Sequence, residues 1–381
     1  MEPIERAQEL LRRYEQELRE VMPRDCTIFD AHVHLGNDID GMVGSYDELL
    51  ATMDRYAFGQ AFMFCLDEPD RHPGFRAGND RTLAFAERSG GRLIPFVRLD
   101  LAEEPIEEAV RCLDRGARGI KLHPRAQGFL LNDERLAPVF ALAADRRVPI
   151  LIHGGRGLPP IAAGLAALVE RYVEATLIIA HAGIADLAAL GRAFGGKPGI
   201  YFDTSVWSPI DLLDFYRFVS PEQVLYASDY PYGRQPNSLF IALRTARAAG
   251  FGEVELRNML SGNASRVAAG EPPLEPTAPL GSSTYRSQLQ LARIHQYLTM
   301  ATPLLWTRQP DSIGALGLAL NTCGERDGHV EEIDRIRQLL ETARDLWRTL
   351  PEIEEGERIP IWRATFSLIH IADILAVTTV D

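Results

Sequence analysis

The sequence predicts an α/β chain built on a (β/α)8 TIM barrel, with an N-terminal helix and a C-terminal α-helical extension. Two observations predict this fold. Eight short apolar runs alternate with amphipathic segments over about 240 residues, which is the length and order that a closed parallel barrel needs. Several of these runs end in histidine or aspartate, as strands do at the catalytic end of such barrels. An open doubly wound sheet is the alternative, and the lack of a GxGxxG pattern after the first run disfavours it.

The chain has 381 residues, and its patterns predict four segments. A helix is predicted for residues 1–25, because the apolar side chains of Ile4, Ala7, Leu11 and Tyr14 recur at steps of three or four residues. The barrel is predicted for residues 26–270. Residues 271–284 are rich in proline and lack periodicity, so they predict an extended linker. Residues 285–381 predict a helical module, and the helical patterns in it cover residues 285–305, 329–350 and 362–377.

The eight candidate strands share an apolar run of four to eight residues bounded by turn or helix signals. They cover residues 27–34, 60–66, 93–99, 119–123, 148–153, 176–181, 199–204 and 223–229.

Composition narrows the classes of function. Lys and Arg total 40 against 53 Asp and Glu, for a net charge of −13, which argues against a nucleic-acid partner. The four cysteines are widely spaced and form no disulfide framework. No signal peptide or membrane span is recognisable, and the apolar stretch 366–380 is interrupted by His370 and Asp373. We therefore expect a cytoplasmic protein with a small-molecule substrate and no membrane partner, and a homodimer is one role for the helical module.

Five side chains near strand ends form the pattern of a metal site. His32 and His34 close the first strand, and alternation places both on one side of it. His153 ends the fifth strand, His181 the sixth and Asp229 the eighth. Each residue alone is a weak signal, since a single histidine at a strand end is usually structural. Their joint position at one end of a barrel predicts a shared site.

Seven motifs in the chain resemble the amidohydrolase superfamily, and most closely its aminocarboxymuconate-semialdehyde decarboxylase-like branch, which also includes resorcylate decarboxylases. The motifs span residues 29–266 and read FDAHVHLG, GIKLHP, ILIHGG, IIAHAG, YFDTS, YASDYPYG and GNASR. The resemblance implies that His32, His34, His153 and Asp229 bind one divalent metal ion. It also implies that Asp229 and His181 are catalytic.

Imidazole and carboxylate ligands with one open position are typical of a catalytic zinc site. Zinc is the expected metal, and Mn, Fe or Co would suit the same ligands. A water bound to such an ion loses a proton near neutral pH, and Asp229 could pass that proton to the leaving group.

Other polar residues near strand ends have two interpretations each. Lys121 and His123 on the fourth strand could hold a second metal or line the pocket, and pairing of Lys121 with a carboxylate is the favoured interpretation. Arg98 is a candidate for binding a substrate carboxylate, and its alternative role is a salt bridge. Tyr230 is a candidate for lining the substrate pocket, and its alternative role is to anchor a loop. Asp203 ends the seventh strand and is expected to orient a ligating or catalytic histidine.

Three functions fit these residues. The first is hydrolysis of a C–N or C–O bond, in an amide, lactam, lactone or imide, by metal-bound hydroxide. The second is a metal-dependent non-oxidative decarboxylation of a small carboxylic acid, which would use the same ligands. The third is a non-catalytic barrel that serves as a scaffold, with a helical tail that binds a partner. The first is favoured because hydrolysis is the commoner reaction across the superfamily that the motifs resemble.

Overall fold

The computed structural model describes residues 2–284, 287–306, 312–325 and 330–379. It divides the chain into two compact units. The barrel unit comprises Pro23–Ser238 and Ala249–Ser282, and the helical unit comprises Met1–Met22, Leu239–Ala248 and Ser283–Asp381.

The barrel unit contains eight parallel strands, which confirms the predicted fold. Each predicted strand overlaps one of them: β1 Ile28–Asn37, β2 Phe58–Cys65, β3 Leu93–Arg98, β4 Gly119–Leu122, β5 Ile150–Ile152, β6 Leu177–Ile179, β7 Ile200–Asp203 and β8 Val224–Leu225. Each strand pairs with the next one along the chain. The barrel closes where Ala31 N donates to Tyr226 O at 2.9 Å and Asp229 N donates to His32 O at 2.9 Å. An unpredicted two-residue strand, Val43–Gly44, pairs antiparallel with the end of β1.

The helices follow in chain order as α1 Pro3–Val21, α2 Tyr46–Arg55, α3 Arg76–Arg88, α4 Pro105–Asp114, α5 Pro124–Gln127, α6 Leu136–Arg146, α7 Ala162–Arg171, α8 Leu187–Phe194, α9 Pro209–Phe215, α10 Asn237–Ala248, α11 Glu253–Arg257, α12 Asn263–Ala269, α13 Leu289–Trp306, α14 Ser312–Cys323, α15 Val330–Thr349 and α16 Arg358–Thr378. A π-helical turn, Asn258–Gly262, joins α11 to α12.

The interior of the barrel is filled by apolar side chains that alternate along the strands. Phe29 and Ala31 of β1, Phe62 of β2 and Phe96 of β3 belong to this buried cluster. Because side chains alternate, Arg98, two residues after Phe96, also faces the interior, at the carboxyl end of β3. The cluster therefore forms the floor beneath the polar residues at the barrel mouth.

A β-bulge in β1 decides which of its polar side chains face the interior. The register with β2 shifts between Asp30 and Val33, so simple alternation from Asp30 to His32 fails. Asp30 turns outward, where its carboxylate accepts hydrogen bonds from His32 N at 3.1 Å and Ser228 N at 2.9 Å. His32 remains directed into the barrel beside His34.

The helical unit combines helices from both ends of the chain. Helix α1 packs against α15 and α16, and Arg6 forms an ion pair with Asp345. The predicted barrel segment 26–270 includes helix α10, but Leu239–Ala248 of that helix belong to the helical unit. Helix α14 was not predicted, because its sequence is apolar without a clear period and includes Gly314 and Gly317. The predicted starts of two tail helices, Tyr285 and His329, lie outside the described residues.

One helical segment among the described residues, Glu355–Thr378, is long and apolar enough to cross a membrane by length and composition. This segment is longer than the predicted helix 362–377. Of its most apolar window, 67% is buried inside the structure. Helix α16 packs against α13 and α15, so this burial is that of a core helix.

The proline-rich segment after α12 has no helix or strand but is attached to the barrel. Thr277 N donates to Glu222 Oε2 at 2.9 Å, and Gly281 N donates to Tyr216 O at 2.9 Å. A Cβ at Gly281 would lie 2.5 Å from the backbone of Tyr216, so only glycine permits this approach. This proline-rich segment is therefore held against the barrel at two points.

Candidate metal centre

Three predicted ligands converge at the carboxyl ends of β1 and β8. His32 Nε2 lies 3.1 Å from His34 Nε2, and Asp229 Oδ1 lies 3.2 Å from each of these nitrogens. We call these three atoms the ligand triangle. The two histidines reach it because both project inward from β1, and the residues after β8 return against that strand.

The hydrogen bonds behind the triangle determine which ring nitrogens carry protons. His32 Nδ1 lies 2.8 Å from Asp203 Oδ2, so it donates, and its Nε2 is left with a lone pair. His34 Nδ1 faces the carbonyl oxygen of Cys65 at 3.5 Å, which favours the same tautomer. Two lone pairs and a carboxylate oxygen therefore face one another. Atoms spaced in this way can each lie roughly 2 Å from a single Zn²⁺, so the donor set fits a divalent cation.

Burial keeps the two imidazoles neutral. Desolvation lowers the pKa of His32 well below its ordinary value and also lowers that of His34. Burial alone would raise the pKa of Asp229, but His32, His34 and His181 outweigh it and lower that pKa to about 2. Neutral imidazole and ionised carboxylate are the forms that bind metals.

Asp229 reaches the triangle through an unusual backbone conformation. Its φ is +60°, in the left-handed region that non-glycine residues rarely adopt. The conformation is held by hydrogen bonds from Asp229 N to His32 O at 2.9 Å and from Gly233 N to Asp229 O at 3.0 Å. His181 has a similar φ of +58°. Such outliers cluster at functional sites, which fits the roles expected of both residues.

His153, the remaining predicted ligand, lies beside the triangle in a row of imidazoles. Its Nδ1 is 3.0 Å from His181 Nε2, and its ring stacks on His123 with centroids 3.9 Å apart. The rings of His181 and His32 are 5.1 Å apart. His153 Nε2 is buried and has no hydrogen-bond partner among the described residues. An unpartnered buried nitrogen next to the ligand triangle supports a ligand role for His153, although His153 is not one of the triangle's three corners.

Glycine is required beside these rings. A Cβ at Gly155 would lie 2.8 Å from His153 Cε1 and 2.9 Å from His181 Cδ2. Gly155, in the segment after β5, therefore lets the backbone approach two imidazoles closely. This glycine belongs to the ILIHGG motif, but the motif itself does not reveal the contact.

Lys121 lies beneath the triangle and is fully buried. Its Nζ is 3.4 Å from His32 Nε2 and 4.6 Å from the centre of the Phe64 ring. Among the described residues it has no ion pair with a carboxylate, contrary to the favoured interpretation. Desolvation lowers the pKa of Lys121 to about 7, against the more distant influence of Asp229 and Asp203. His123, on the same strand, caps α5 by accepting a hydrogen bond from Ala126 N at 3.2 Å.

Arg98 supplies unused hydrogen-bond donors near the triangle. Its side chain is 2% exposed, and its Nε and Nη2 have no hydrogen-bond partner among the described residues. Nη1 lies 3.4 Å from the same Cys65 oxygen that His34 faces. Asp67 Oδ1 is 3.9 Å from Nη2, which is an ion pair without a hydrogen bond. The guanidinium can therefore still receive an anionic group.

Tyr230 and Tyr232 both follow Asp229, and their hydroxyl groups contact different segments. The hydroxyl of Tyr230 bonds to Ser45 and to Glu48 Oε2, each at 3.2 Å, which favours the loop-anchor alternative over substrate contact. Tyr232 instead lies edge-on to His34, with ring centroids 6.0 Å apart. Its hydroxyl donates to Asp38 Oδ2 at 2.9 Å, so it ties the loop after β1 to the loop after β8.

A second group of potential ligands among the described residues comprises His72, Asp100 and Glu103. His72 is exposed, and its Nδ1 lies 3.0 Å from both carboxylate oxygens of Glu103. Within this exposed group His72 and Glu103 are hydrogen-bonded to each other, so the group offers a comparison for the buried triangle.

Comparisons with known proteins agree with the fold. A family model described as an amidohydrolase matches residues 29–267. An uncharacterised TIM-barrel protein from Bordetella bronchiseptica is 15% identical, with a TM-score of 0.51 over 64% of this chain and 99% of that chain. The 4-oxalomesaconate hydratase from Rhodopseudomonas palustris is 19% identical, with a TM-score of 0.50 over 64% of this chain and 96% of that chain. At these identities the two structures show the fold alone. A search of curated proteins gave no significant match.

Proposed function

The chain belongs to the amidohydrolase family, and from that premise we propose that it is a metal-dependent hydrolase of a C–N or C–O bond in a small molecule. The bond would be that of an amide, lactam, lactone or imide. The observation that carries the proposal is the ligand triangle, in which two imidazole lone pairs and one carboxylate oxygen meet 3.1–3.2 Å apart.

His32, His34 and Asp229 would hold one divalent cation, with His153 as the fourth protein ligand. Zinc is the metal we propose, and Mn, Fe or Co would suit the same donors. When bound, the ion would supply Lewis acidity and a water of lowered pKa. Asp203 keeps His32 in the tautomer that can bind it, through the 2.8 Å hydrogen bond to Nδ1.

The chain's own residues then handle protons and the substrate. Asp229 takes a proton at a carboxylate oxygen from the attacking water and returns it to the leaving nitrogen or oxygen. His181 is held close to the triangle by its contacts with His153 and with Ser205 O at 2.9 Å, and it positions the His153 ring. The apolar floor formed by Phe62, Phe96 and their neighbours excludes water from below.

The second candidate function is non-oxidative decarboxylation, and Arg98 is the observation that favours it. Two unpartnered donors on a buried guanidinium suit a substrate carboxylate. A carboxylate held there could be a spectator in hydrolysis or the group that is lost. The ligand triangle is compatible with both reactions.

Product analysis separates the two reactions. The zinc-loaded protein would be incubated with substrates that each carry a carboxylate and an amide or lactone bond. Released CO2 would be measured in parallel with the amine or hydroxyl that hydrolysis forms. We expect the hydrolysis product, and we expect Asp229→Asn to abolish it. Release of CO2 without bond hydrolysis would overturn the proposed reaction in favour of the decarboxylase. If neither product formed from any substrate tested, the third function, a scaffold with a partner-binding helical tail, would be favoured.

A further inference from the structure

We propose that Ser205 is a positioning residue for His181, and that Asp203, Ser205 and His181 form a hydrogen-bonded relay from His32 to His153. The relay assigns the Nδ1–H tautomer to all three histidines. The tautomer assignment rests on hydrogen-bond geometry alone. Only its consequence for catalysis rests on the proposed function.

The contact between Ser205 and His181 fixes one proton. His181 Nδ1 lies 2.9 Å from the backbone oxygen of Ser205 and 2.9 Å from its Oγ. A carbonyl oxygen has no proton to give, so His181 Nδ1 must carry the hydrogen of this bond. Ser205 follows directly after β7 and Thr204, which brings both of its oxygens to the ring.

Asp203 orders the donors around Ser205. Its Oδ1 accepts hydrogen bonds from His181 N at 2.8 Å and from Ser205 N at 3.1 Å, and also from the Ser205 hydroxyl at 2.5 Å. Because that hydroxyl gives its proton to the carboxylate, Ser205 Oγ turns a lone pair towards His181 Nδ1. The other carboxylate oxygen accepts from His32 Nδ1. One carboxylate thus sets the proton positions on both sides of the relay.

The relay ends at His153 with a defined lone pair. In the proposed Nδ1–H tautomer, His181 has a lone pair on Nε2, which accepts a hydrogen from His153 Nδ1, 3.0 Å away. His153 Nε2 is then unprotonated. This is the atom that is buried without a hydrogen-bond partner. Ser205 therefore determines that His153 presents a lone pair, which a cation can use, and not an unpartnered N–H.

The first test is the tautomeric state of the histidines in the full-length, metal-free protein. Long-range proton–nitrogen NMR spectra of protein labelled with ¹⁵N at histidine distinguish the two tautomers, and His→Gln variants assign the signals. We expect Nδ1–H at His32, His181 and His153. An Nε2–H tautomer at His181 or His153 would overturn the relay. The measurement needs neither metal nor turnover, so it is independent of whether the proposed reaction is right.

The second test uses Asp203→Asn, which keeps the volume of the side chain. The three groups that donate to Asp203 Oδ1 should hold the oxygen of the new amide in the same place. The NH2 of that amide would then face His32 Nδ1. We expect His32 to change to the Nε2–H tautomer, and the affinity for zinc to fall about 10- to 100-fold. His181 and His153 should keep their tautomers. No change at His32 would show that Asp203 does not set its proton.

Ser205 itself is tested against Ser208, a serine of the same loop that caps α9 through Asp211 N at 3.2 Å. We expect Ser205→Ala to lower kcat about 10- to 100-fold with zinc content unchanged, and Ser205→Thr to restore it. Ser208→Ala should change neither kcat nor the NMR signals. Equal kcat in Ser205→Ala and wild type would contradict the positioning role.

Discussion

Replacing Lys121 with methionine should change how the stability of the protein depends on pH. Lys121 is fully buried against Phe64 and His32, and desolvation lowers its pKa from 10.5 to about 7. Because the unfolded chain holds the proton more tightly, the folded state carries a penalty that is complete below pH 7. The penalty shrinks as the pH rises towards 10.

The magnitude follows from the shift. A difference of about 3.5 pKa units corresponds to about 5 kcal/mol, at 1.36 kcal/mol per unit. Below pH 7, Lys121→Met should therefore gain up to about 5 kcal/mol relative to wild type. Between pH 7 and 10 this gain should fall by roughly 1.4 kcal/mol per pH unit.

Urea unfolding followed by circular dichroism, in chelator and without bicarbonate, measures this difference at pH values from 6 to 10. Methionine keeps most of the side-chain volume. Any change in packing should therefore shift the unfolding free energy by the same amount at every pH. Lys197→Met removes an exposed lysine and should show no such slope. If the difference in unfolding free energy between Lys121→Met and wild type stayed constant from pH 6 to 10, burial would not lower the pKa of Lys121, and the reasoning would be refuted.

Three further predictions concern other parts of the barrel unit. Arg98→Met should lower kcat/KM about 10- to 100-fold for carboxylated substrates only, because it removes charge-assisted hydrogen bonds, and paired kinetics with uncharged analogues check this. Tyr230→Phe should lower the unfolding free energy by about 1 kcal/mol with KM retained, whereas a substrate contact would raise KM. Burial alone would raise the pKa of Glu108, but hydrogen bonds from Arg111 and Asn79 outweigh it and lower that pKa. Glu108 should therefore stabilise the protein above pH 5 and lose this contribution as the pH falls, and urea unfolding of Glu108→Gln should lack that loss.

The sequence predicted the strands and the triangle for different physical reasons. Buried parallel strands leave continuous apolar runs, so all eight were recognisable. His32 and His34 share a side because strand side chains alternate, and Asp229 could be placed with them because β8 neighbours β1 in a closed barrel. The bulge that turns Asp30 outward left no signal, since it depends on the register between two strands.

The remaining differences arise from contacts distant in sequence. Tyr230 follows Asp229 directly, but its direction is set by Ser45 and Glu48, about 180 residues away. Ser205 was not singled out, because a serine after a strand usually signals only a turn. Its role became visible once His181 was placed beside it.

Bound metal shows whether His32, His34 and Asp229 form a metal site. The chain would be purified without chelator, and bound metal per chain would be measured by plasma mass spectrometry. We predict one equivalent of a divalent metal in wild type and in His72→Ala, which alters only the exposed second group, and almost none in a His32→Ala/His34→Ala double variant. Two equivalents would instead favour a carboxylated Lys121 bridging two ions. No metal in wild type, even after incubation with excess Zn²⁺ or Mn²⁺, would contradict a metal site at the ligand triangle.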